Sequence, residues 1–199
     1  MAQQDTTALL LTTVQEQLLT QGYARLTIES VAAASGVAKT TIYRRWKSKA
    51  EMVFSLMIES FEGTPFNPPN SNPTTLVDDL RTAVAFTFAR LDSPIARAAL
   101  IGVLADSIHD IALHERLFAE FMPPARLGAQ AIVDRANARG ETLRPDSAAI
   151  IHASILGTLT AWIHLFDEER PADLIDLISR QCLIAVETSL PDSPPTLER

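Results

Sequence analysis

The sequence predicts an all-α fold. Apolar residues recur at helical spacing along nearly all of the 199 residues. No run of β-branched residues alternates with polar ones for long enough to indicate a sheet. Turn-forming residues interrupt the helical periodicity and divide it into about nine helices. The hydrophobic fraction of 47% is enough for a sizeable core, and the charged fraction of 21% is typical of a soluble globular protein.

Four helices are predicted in the first third of the chain, at residues 6–20, 28–34, 39–45 and 49–62. Gly22 follows the first of them and is expected to form a left-handed cap. Thr27 and Ser48 are expected to cap the second and fourth, because a hydroxyl can accept a hydrogen bond from a free N–H of the first turn. Gly36 lies in the short turn between the second and third helices, and such a turn sets two helices roughly perpendicular.

A loop is predicted at residues 63–73, because its four prolines lack the N–H donors that a helix needs. Five further helices are predicted beyond it, at residues 74–91, 94–108, 111–139, 146–167 and 171–190. Pro123 and Pro124 are expected to kink or split the long helix that contains them.

The predicted helices divide the chain into two domains and a C-terminal tail. Residues 1–62 are predicted to form a small helix-turn-helix domain, and the fourth helix joins it to a second helical domain at residues 63–190. Residues 191–199 contain three prolines and little apolar content, which predicts a disordered tail.

Composition disfavours several classes of protein. The first residues lack the basic segment and cleavage site of a secretory signal, so a cytoplasmic location is expected. The apolar stretch at residues 148–165 contains serine, threonine and histidine, and we interpret it as a buried helix and not a membrane span. Cys182 is the single cysteine, which excludes an internal disulfide and a multi-thiolate site. The spacing of the four histidines is not diagnostic of a metal, so we expect neither a metal nor another cofactor.

The charge is distributed unevenly. The formal net charge is -7, yet residues 1–62 carry six basic and six acidic groups and are neutral overall. Residues 25–49 contain six basic groups and a single acidic group, Glu29, which leaves a local excess of five positive charges. A basic window of this kind in an acidic protein is what a local nucleic-acid contact needs.

Residues 26–52 combine that charge with a helix-turn-helix pattern. Val31 and Ile42 are predicted to point inward, whereas Lys39, Tyr43 and Arg44 stand outward on the third helix. Such a helix suits the major groove, because lysine and arginine pair with guanine, and threonine and tyrosine contact thymine methyl groups. From these residues alone, a solvated cationic helix is the alternative.

The segment resembles the DNA-binding domain of the TetR (tetracycline-repressor-like) family. The matching positions are Thr27, the turn Gly36-Val37, the pair Ile42-Tyr43, Trp46, and Ser48-Lys49. Residues 135–141 also resemble part of a C-terminal ligand-binding domain that is common among these regulators. The resemblance implies a dimeric bacterial transcription regulator, most simply a repressor that a small apolar ligand releases from a palindromic operator.

Carried over by residue, the resemblance implies three groups of DNA contacts. They are base readers (Lys39, Thr40, Thr41, Arg44), residues at bases or backbone (Tyr43, Arg45), and phosphate ligands (Thr27, Tyr43, Lys49). Trp46 is expected to be a packing wedge between helices, with base stacking or a phosphate contact through its indole N–H as alternatives.

The second domain offers less specific signals. A pocket between helices is mostly apolar with a few polar groups that orient the ligand. The candidate ligand-binding residues are Phe86, Leu104, His109, Phe121, His152, Leu156 and Trp162. For each of them, a place in the core or on the surface is the alternative.

The last two helices carry wide apolar stripes, and the resemblance implies that they pair with their copies in a homodimer. The candidate interface residues are Ile155, Leu159, Ile163, Leu174 and Ile178. Two-fold symmetry would present the recognition helices to successive major grooves about 34 Å apart.

Two other functions are weighed against this one. An enzyme is disfavoured, because the sequence has no glycine-rich phosphate loop, no Ser-His-Asp order and no Cys-His pair. A helical ligand-binding or interaction protein that has lost DNA binding is the second alternative, suggested by the neutral first third of the chain.

Overall fold

The computed structural model describes residues 2–61 and 75–187, and every regular element within these two ranges is helical. The predicted all-α fold is confirmed. The elements are α1 (Ala2–Gln21), α2 (Ile28–Ser35), α3 (Lys39–Tyr43), α4 (Lys49–Phe61), α5 (Leu76–Leu91), α6 (Pro94–Ser107), α7 (Ile111–Ala138), α8 (Ser147–Thr160), a π-helix (Ala161–Leu165) and α9 (Leu174–Glu187). The predicted loop at 63–73 and the predicted tail at 191–199 lie outside the described residues.

The predicted helix caps are present. Gly22 has a φ of 79° and donates its N–H to the Leu18 carbonyl at 3.0 Å, which ends α1. Gly36 has a φ of 69° and ends α2 in the same way. The Thr27 hydroxyl accepts the Ser30 N–H at 3.0 Å and begins α2. The helix-turn-helix is therefore set by local chemistry at each of its ends.

The contacts within the chain group the helices into two compact units. The first contains residues 2–61 and 89–122, and the second contains residues 75–88 and 123–187. In the first unit, α1 packs against α2, α4 and α6. Its core joins buried residues of the helix-turn-helix, of α4, of α6 and of the start of α7, including Val31, Trp46, Phe54, Val103 and Leu113. The predicted boundary at residue 62, between a helix-turn-helix domain and a second helical domain, stays a prediction.

In the second unit, α8 packs against α9. A buried carboxylate also links α5 to α7, since Asp79 accepts from Arg135 Nε at 2.7 Å and from Arg139 Nη2 at 2.9 Å. Arg139 Nε donates in turn to Glu141 at 2.7 Å. Residues 135–141, which resemble part of a C-terminal ligand-binding domain, thus link α7 to α5.

Helix α7 runs through Pro123 and Pro124 as one element. The expected split at these prolines is wrong, because the turns on either side keep helical backbone despite the two missing N–H donors. The expected kink stays a prediction. The boundary between the two contact units falls between Met122 and Pro123.

Candidate nucleic-acid interface

The turn between α2 and α3 separates an inward face from an outward face. Val31 and Ile42 are fully buried, and Ala32 and Val37 pack against the same core. Val31 and Ile42 were predicted to point inward, and the prediction is confirmed. Because the apolar side of α3 is held in the core, the polar side has a fixed direction toward solvent.

The outward face of α3 and the residue after it carry four of the eight predicted DNA-contacting residues. Lys39, Thr40 and Arg44 are exposed, and Tyr43 keeps 48% of its surface exposed. Thr41 is half-buried on the flank of the helix. Three of the candidate base readers and Tyr43 are therefore exposed together on one surface, which we call the α3 face: Lys39, Thr40, Tyr43 and Arg44.

Lys39 has a partner on α2. Its Nζ lies 3.2 Å from Glu29 Oε1, and both side chains are more than half exposed. The pKa of Glu29 is held below its ordinary value, first by a hydrogen bond from its own backbone and then by Lys39. An exposed pair of this kind is worth little, so Lys39 can exchange Glu29 for a DNA acceptor at small cost.

Thr27 and Ser30 fix the entry to α2. Ser30 donates its hydroxyl to Gln17 Oε1 at 2.6 Å, and Gln17 Nε2 donates to the Ser30 carbonyl at 3.0 Å, which ties α2 to α1. Thr27 is exposed, and accepting the cap bond does not use the hydrogen of its own hydroxyl. That hydrogen can be donated outward to a phosphate.

Trp46 is a packing residue. Only 4% of it is exposed, and its indole N–H donates to Ser55 Oγ at 2.9 Å. The wedge expected between helices is confirmed, and the alternative roles in base stacking and phosphate contact are excluded in this conformation. Arg45 is half-buried with its guanidinium 5.9 Å from the centre of the Trp46 ring, so it lies at the edge of the α3 face.

The start of α4 is held from several directions. Ser48 caps it as predicted, since Glu51 donates its N–H to Ser48 Oγ at 3.1 Å. The Glu51 carboxylate accepts the Lys47 N–H at 2.5 Å and also pairs with Arg116 of α7. The first turn of α4 is therefore fixed by a residue that is far away in sequence.

Lys49 is half-buried and is engaged within the chain. Its Nζ lies 3.2 Å from the Tyr23 carbonyl oxygen and 4.0 Å from the centre of the Tyr23 ring. Sequence reasoning missed Tyr23. Its partner Asp106 is 83 residues away, and no local pattern pairs the two.

The predicted ligand-binding residues fall in both units. Phe86, His152, Leu156 and Trp162 are half-buried in the second unit. Leu104 and His109 are exposed in the first unit. The side chain of Phe121 lies outside the described residues.

His152 is the polar member of the group in the second unit. Its Nε2 is buried and has no hydrogen-bond partner among the described residues. Burial lowers the pKa of His152, and the nearby positive charge of Arg126 lowers it further. A neutral imidazole with an unused nitrogen is a polar group that a ligand could satisfy.

Trp162 lies in a feature that the sequence did not indicate. The five residues after α8 form a π-helix, and the Trp162 ring meets the Phe166 ring edge-on at 5.2 Å. A π-turn widens the helix by one residue and often marks a functional site.

The role of the five candidate dimer-interface residues stays a prediction, and the structure shows only their place within one chain. All of them are buried within a single chain, where they form the core of the second unit: Ile155, Leu159, Ile163, Leu174 and Ile178. The surface of α8 that remains is made of small exposed residues at every fourth position, Ala149, Ala153 and Gly157. A Cβ at Gly157 would meet open space, so no other part of the chain covers this position.

The helical stretch Ser147–Leu165 is long and apolar enough to cross a membrane by length and composition, and 22% of it is buried. The mostly buried core helix of a soluble protein passes the same test, but this stretch, which was expected to be a buried helix, is mostly not buried within the chain.

Comparisons with known proteins identify the family to which this helix-turn-helix belongs. Residues 10–56 match the model for bacterial regulatory proteins of the tetR family, and residues 73–181 match the model for the tetracyclin repressor-like C-terminal domain. An uncharacterised HTH-type transcriptional regulator of Mycobacterium bovis is 36% identical over 135 residues, which are 65% of this chain and 60% of that protein. This chain therefore spans about 60% of the length of that relative.

Three further proteins are similar to this chain, one over a short segment and two over most of its length. The DNA-binding transcriptional repressor TetR of Mycobacteroides abscessus is 48% identical over 46 residues, 23% of this chain and 24% of that protein. The crystal structure of a TetR family transcription regulator has a TM-score of 0.64 at 24% identity, covering 90% of this chain and 97% of that one. The flavonoid-responsive regulator FrrA has a TM-score of 0.62 at 17% identity, covering 90% and 93%.

The fold and the α3 face define a helix-turn-helix DNA-binding protein. With both family models matched, one of them over more than half of the chain, the protein belongs to the TetR family of transcriptional regulators. Proteins of this family are DNA-binding regulators and not enzymes.

Proposed function

We propose that this protein is a cytoplasmic repressor that binds a palindromic operator as a homodimer and is released by a small, largely apolar ligand. The observation that carries the DNA-binding part is the α3 face, a set of exposed donors on a short helix whose opposite side is fixed in the core. Local positive charge at residues 25–49 supports the same surface in a protein of net charge -7.

The proposed contacts follow from exposure. Lys39 and Arg44 read guanine edges, while Thr40 and Tyr43 contact thymine methyl groups or neighbouring bases. Thr41 and Arg45 are half-buried at the flanks of α3, which favours contacts with backbone over bases. Thr27 donates to a phosphate at the start of α2.

The proposed homodimer uses the accessible sides of α8 and α9. The small residues Ala149, Ala153 and Gly157 let two helices approach closely, and Leu177 of α9 keeps 44% of its surface exposed. The stretch that contains α8 is strongly apolar although little of it is buried within one chain, which supports burial against a second copy. A two-fold axis would then place two α3 faces about 34 Å apart.

The proposed ligand site lies in the second unit. Phe86, Leu156 and Trp162 supply apolar surface, and His152 supplies the polar group whose nitrogen is unused. Release from DNA requires that the ligand binds the DNA-free conformation better, and such couplings are usually about 1–3 kcal/mol.

The decisive experiment is selection of operator sequences from random duplexes, followed by affinity measurements at several salt concentrations. Arg44→Ala should lose about 1–3 kcal/mol on the selected operator and relax the sequence preference at one position. Arg81→Ala is the matched control, because Arg81 is also an exposed arginine but belongs to the second unit, where it pairs with Asp176. Selection that enriches no sequence, or equal losses for both variants, would reject the assignment.

A further inference from the structure

An exposed ion pair joins the two helices of the helix-turn-helix at the α3 face. Glu29 lies in the first turn of α2 and Lys39 is the first residue of α3, and Glu29 Oε1 lies 3.2 Å from Lys39 Nζ. Both side chains are more than half exposed. Glu29 is also the single acidic residue within residues 25–49, the basic window of the chain. A carboxylate in this place needs an explanation.

The pair has a fixed place on the helix-turn-helix. Ile28 and Val31, on either side of Glu29 in α2, are buried in the core, and Gly36 sets the turn to α3. In a helix-turn-helix, the N-terminal residues of the second helix contact base edges in the major groove. Because Lys39 begins α3, its ammonium group would enter the groove together with the Glu29 carboxylate beside it.

Glu29 carries a negative charge when the protein approaches DNA. A hydrogen bond from its own backbone lowers the pKa of Glu29, and Lys39 lowers it further. Duplex DNA carries one negative charge per about 1.7 Å of its axis, so the phosphates repel a carboxylate at the interface. Glu29 therefore opposes binding to any duplex in which no base donates a hydrogen bond to it.

The spacing of the pair matches the edge of one base pair. The donors in the major groove are the exocyclic amines of cytosine and adenine. In a G·C pair the cytosine N4 amine donates to guanine O6, so these two atoms lie about 2.9 Å apart. Glu29 Oε1 and Lys39 Nζ lie 3.2 Å apart. The acceptor and the donor of the protein can therefore face the donor and the acceptor of one G·C pair at the same time.

The number of donors on Lys39 favours G·C over A·T. An ammonium group has three donors, and two remain when one is given to Glu29. Guanine presents two acceptors, O6 and N7, beside the cytosine amine, whereas thymine presents only O4 beside the adenine amine. Guanine can thus use both remaining donors while the ion pair stays intact.

We propose that Glu29 is a further specificity-determining residue, and that Glu29 and Lys39 read one G·C base pair in each half-site as an intact ion pair, with Lys39 donating to guanine and Glu29 accepting from cytosine N4. The repulsion between the carboxylate and the phosphates is then offset only at the correct base pair. The inference rests on the proposed DNA binding and names one base pair that the operator contains.

The experiment places base analogues at each G·C pair of the selected operator in turn and measures affinity by fluorescence anisotropy. Pyrimidin-2-one replaces cytosine and lacks the N4 amine, while a deazaguanine replaces guanine and lacks the N7 acceptor. At one position of the half-site, wild type should bind roughly 5- to 150-fold more weakly with either analogue. Glu29→Ala should abolish the loss on the cytosine analogue, and Lys39→Met should abolish the loss on the guanine analogue at the same position.

The ratio of two affinities of one variant removes the general effect of charge, because a lost carboxylate strengthens binding to both duplexes alike. Glu59→Ala is the control, since Glu59 is an exposed acid of the same contact unit near the far end of α4. It should keep the wild-type loss on both analogues. Circular dichroism should show an unchanged unfolding midpoint for Glu29→Ala, because an exposed ion pair contributes little to stability.

Two results would overturn the inference. One is a loss on the cytosine analogue that persists in Glu29→Ala at every position, which would make Glu29 a surface charge that only weakens binding. The other is that Glu29 and Lys39 respond at different base pairs, or that Glu29 responds at an A·T pair. Selection that enriches no sequence would instead refute the proposed function, and this inference with it.

Discussion

The buried carboxylate of Asp79 gives the sharpest test of how the second unit is held together. Its side chain is fully buried between Arg135 and Arg139, whose own side chains are 34% and 24% exposed. Asp79→Ala would leave two guanidinium groups without their shared acceptor. Removing one partner of a buried ion pair costs about 3–5 kcal/mol, and the partial exposure of the arginines favours the lower value, about 3 kcal/mol.

The expected loss is large enough to measure by thermal unfolding. For a chain of about this length, 1 kcal/mol shifts the midpoint by about 2–4 °C, so about 3 kcal/mol predicts a fall of roughly 6–12 °C. Circular dichroism at 222 nm, which reports helix content, follows the transition.

A matched control exists in the same unit. Asp176 also lies in the first turn of a helix and pairs with Arg81 at 2.7 Å, but both side chains are well exposed. Asp176→Ala should therefore cost less than about 1 kcal/mol. If Asp79→Ala melts within 2 °C or so of the wild type, or no lower than Asp176→Ala, the reasoning from burial is refuted.

Three further predictions concern the dimer, the ligand and pH. Ala153→Glu should shift the protein toward monomer in light scattering with its fold intact, because the charge would be buried only in the dimer; an intact dimer would exclude this side of α8. Trp162→Ala should weaken the response to a ligand while operator affinity without ligand stays nearly unchanged; loss of folding would show that Trp162 is core. Burial lowers the pKa of His152, so the unfolded chain binds the proton more readily, and the urea midpoint should fall as pH drops from about 7.5 to about 5.5. His152→Gln should reduce this fall. A pH dependence that is unchanged in the variant would contradict the prediction.

The helix-turn-helix could be predicted because its determinants are local. Thr27 and Gly36 act through hydrogen bonds to residues three or four positions away, and Val31 and Ile42 show the spacing of a buried helix face. The α3 face follows from the same periodicity, since fixing the apolar side of a short helix also fixes which residues are left outside.

The candidate dimer-interface residues show what periodicity cannot decide. The apolar stripe of α8 and α9 correctly indicated burial, but burial of Ile155, Leu159 and Ile178 occurs within one chain. A hydrophobic pattern predicts that one face of a helix is buried. It does not indicate whether the helix that packs against that face belongs to the same chain or to a second copy.

The sequence by itself determined the helical class, the positions of the helices and the exposed donors of α3, because these depend on contacts over a few residues. Only the tertiary structure decided that Lys49 faces Tyr23, that Tyr23 reaches Asp106, and that Asp79 lies between two arginines. These contacts join residues that are 26 to 83 positions apart. The physical reason is that such pairs arise from how the helices pack against each other. The residues next to a charged or aromatic side chain in the sequence are the same whether that side chain contacts a distant residue or water.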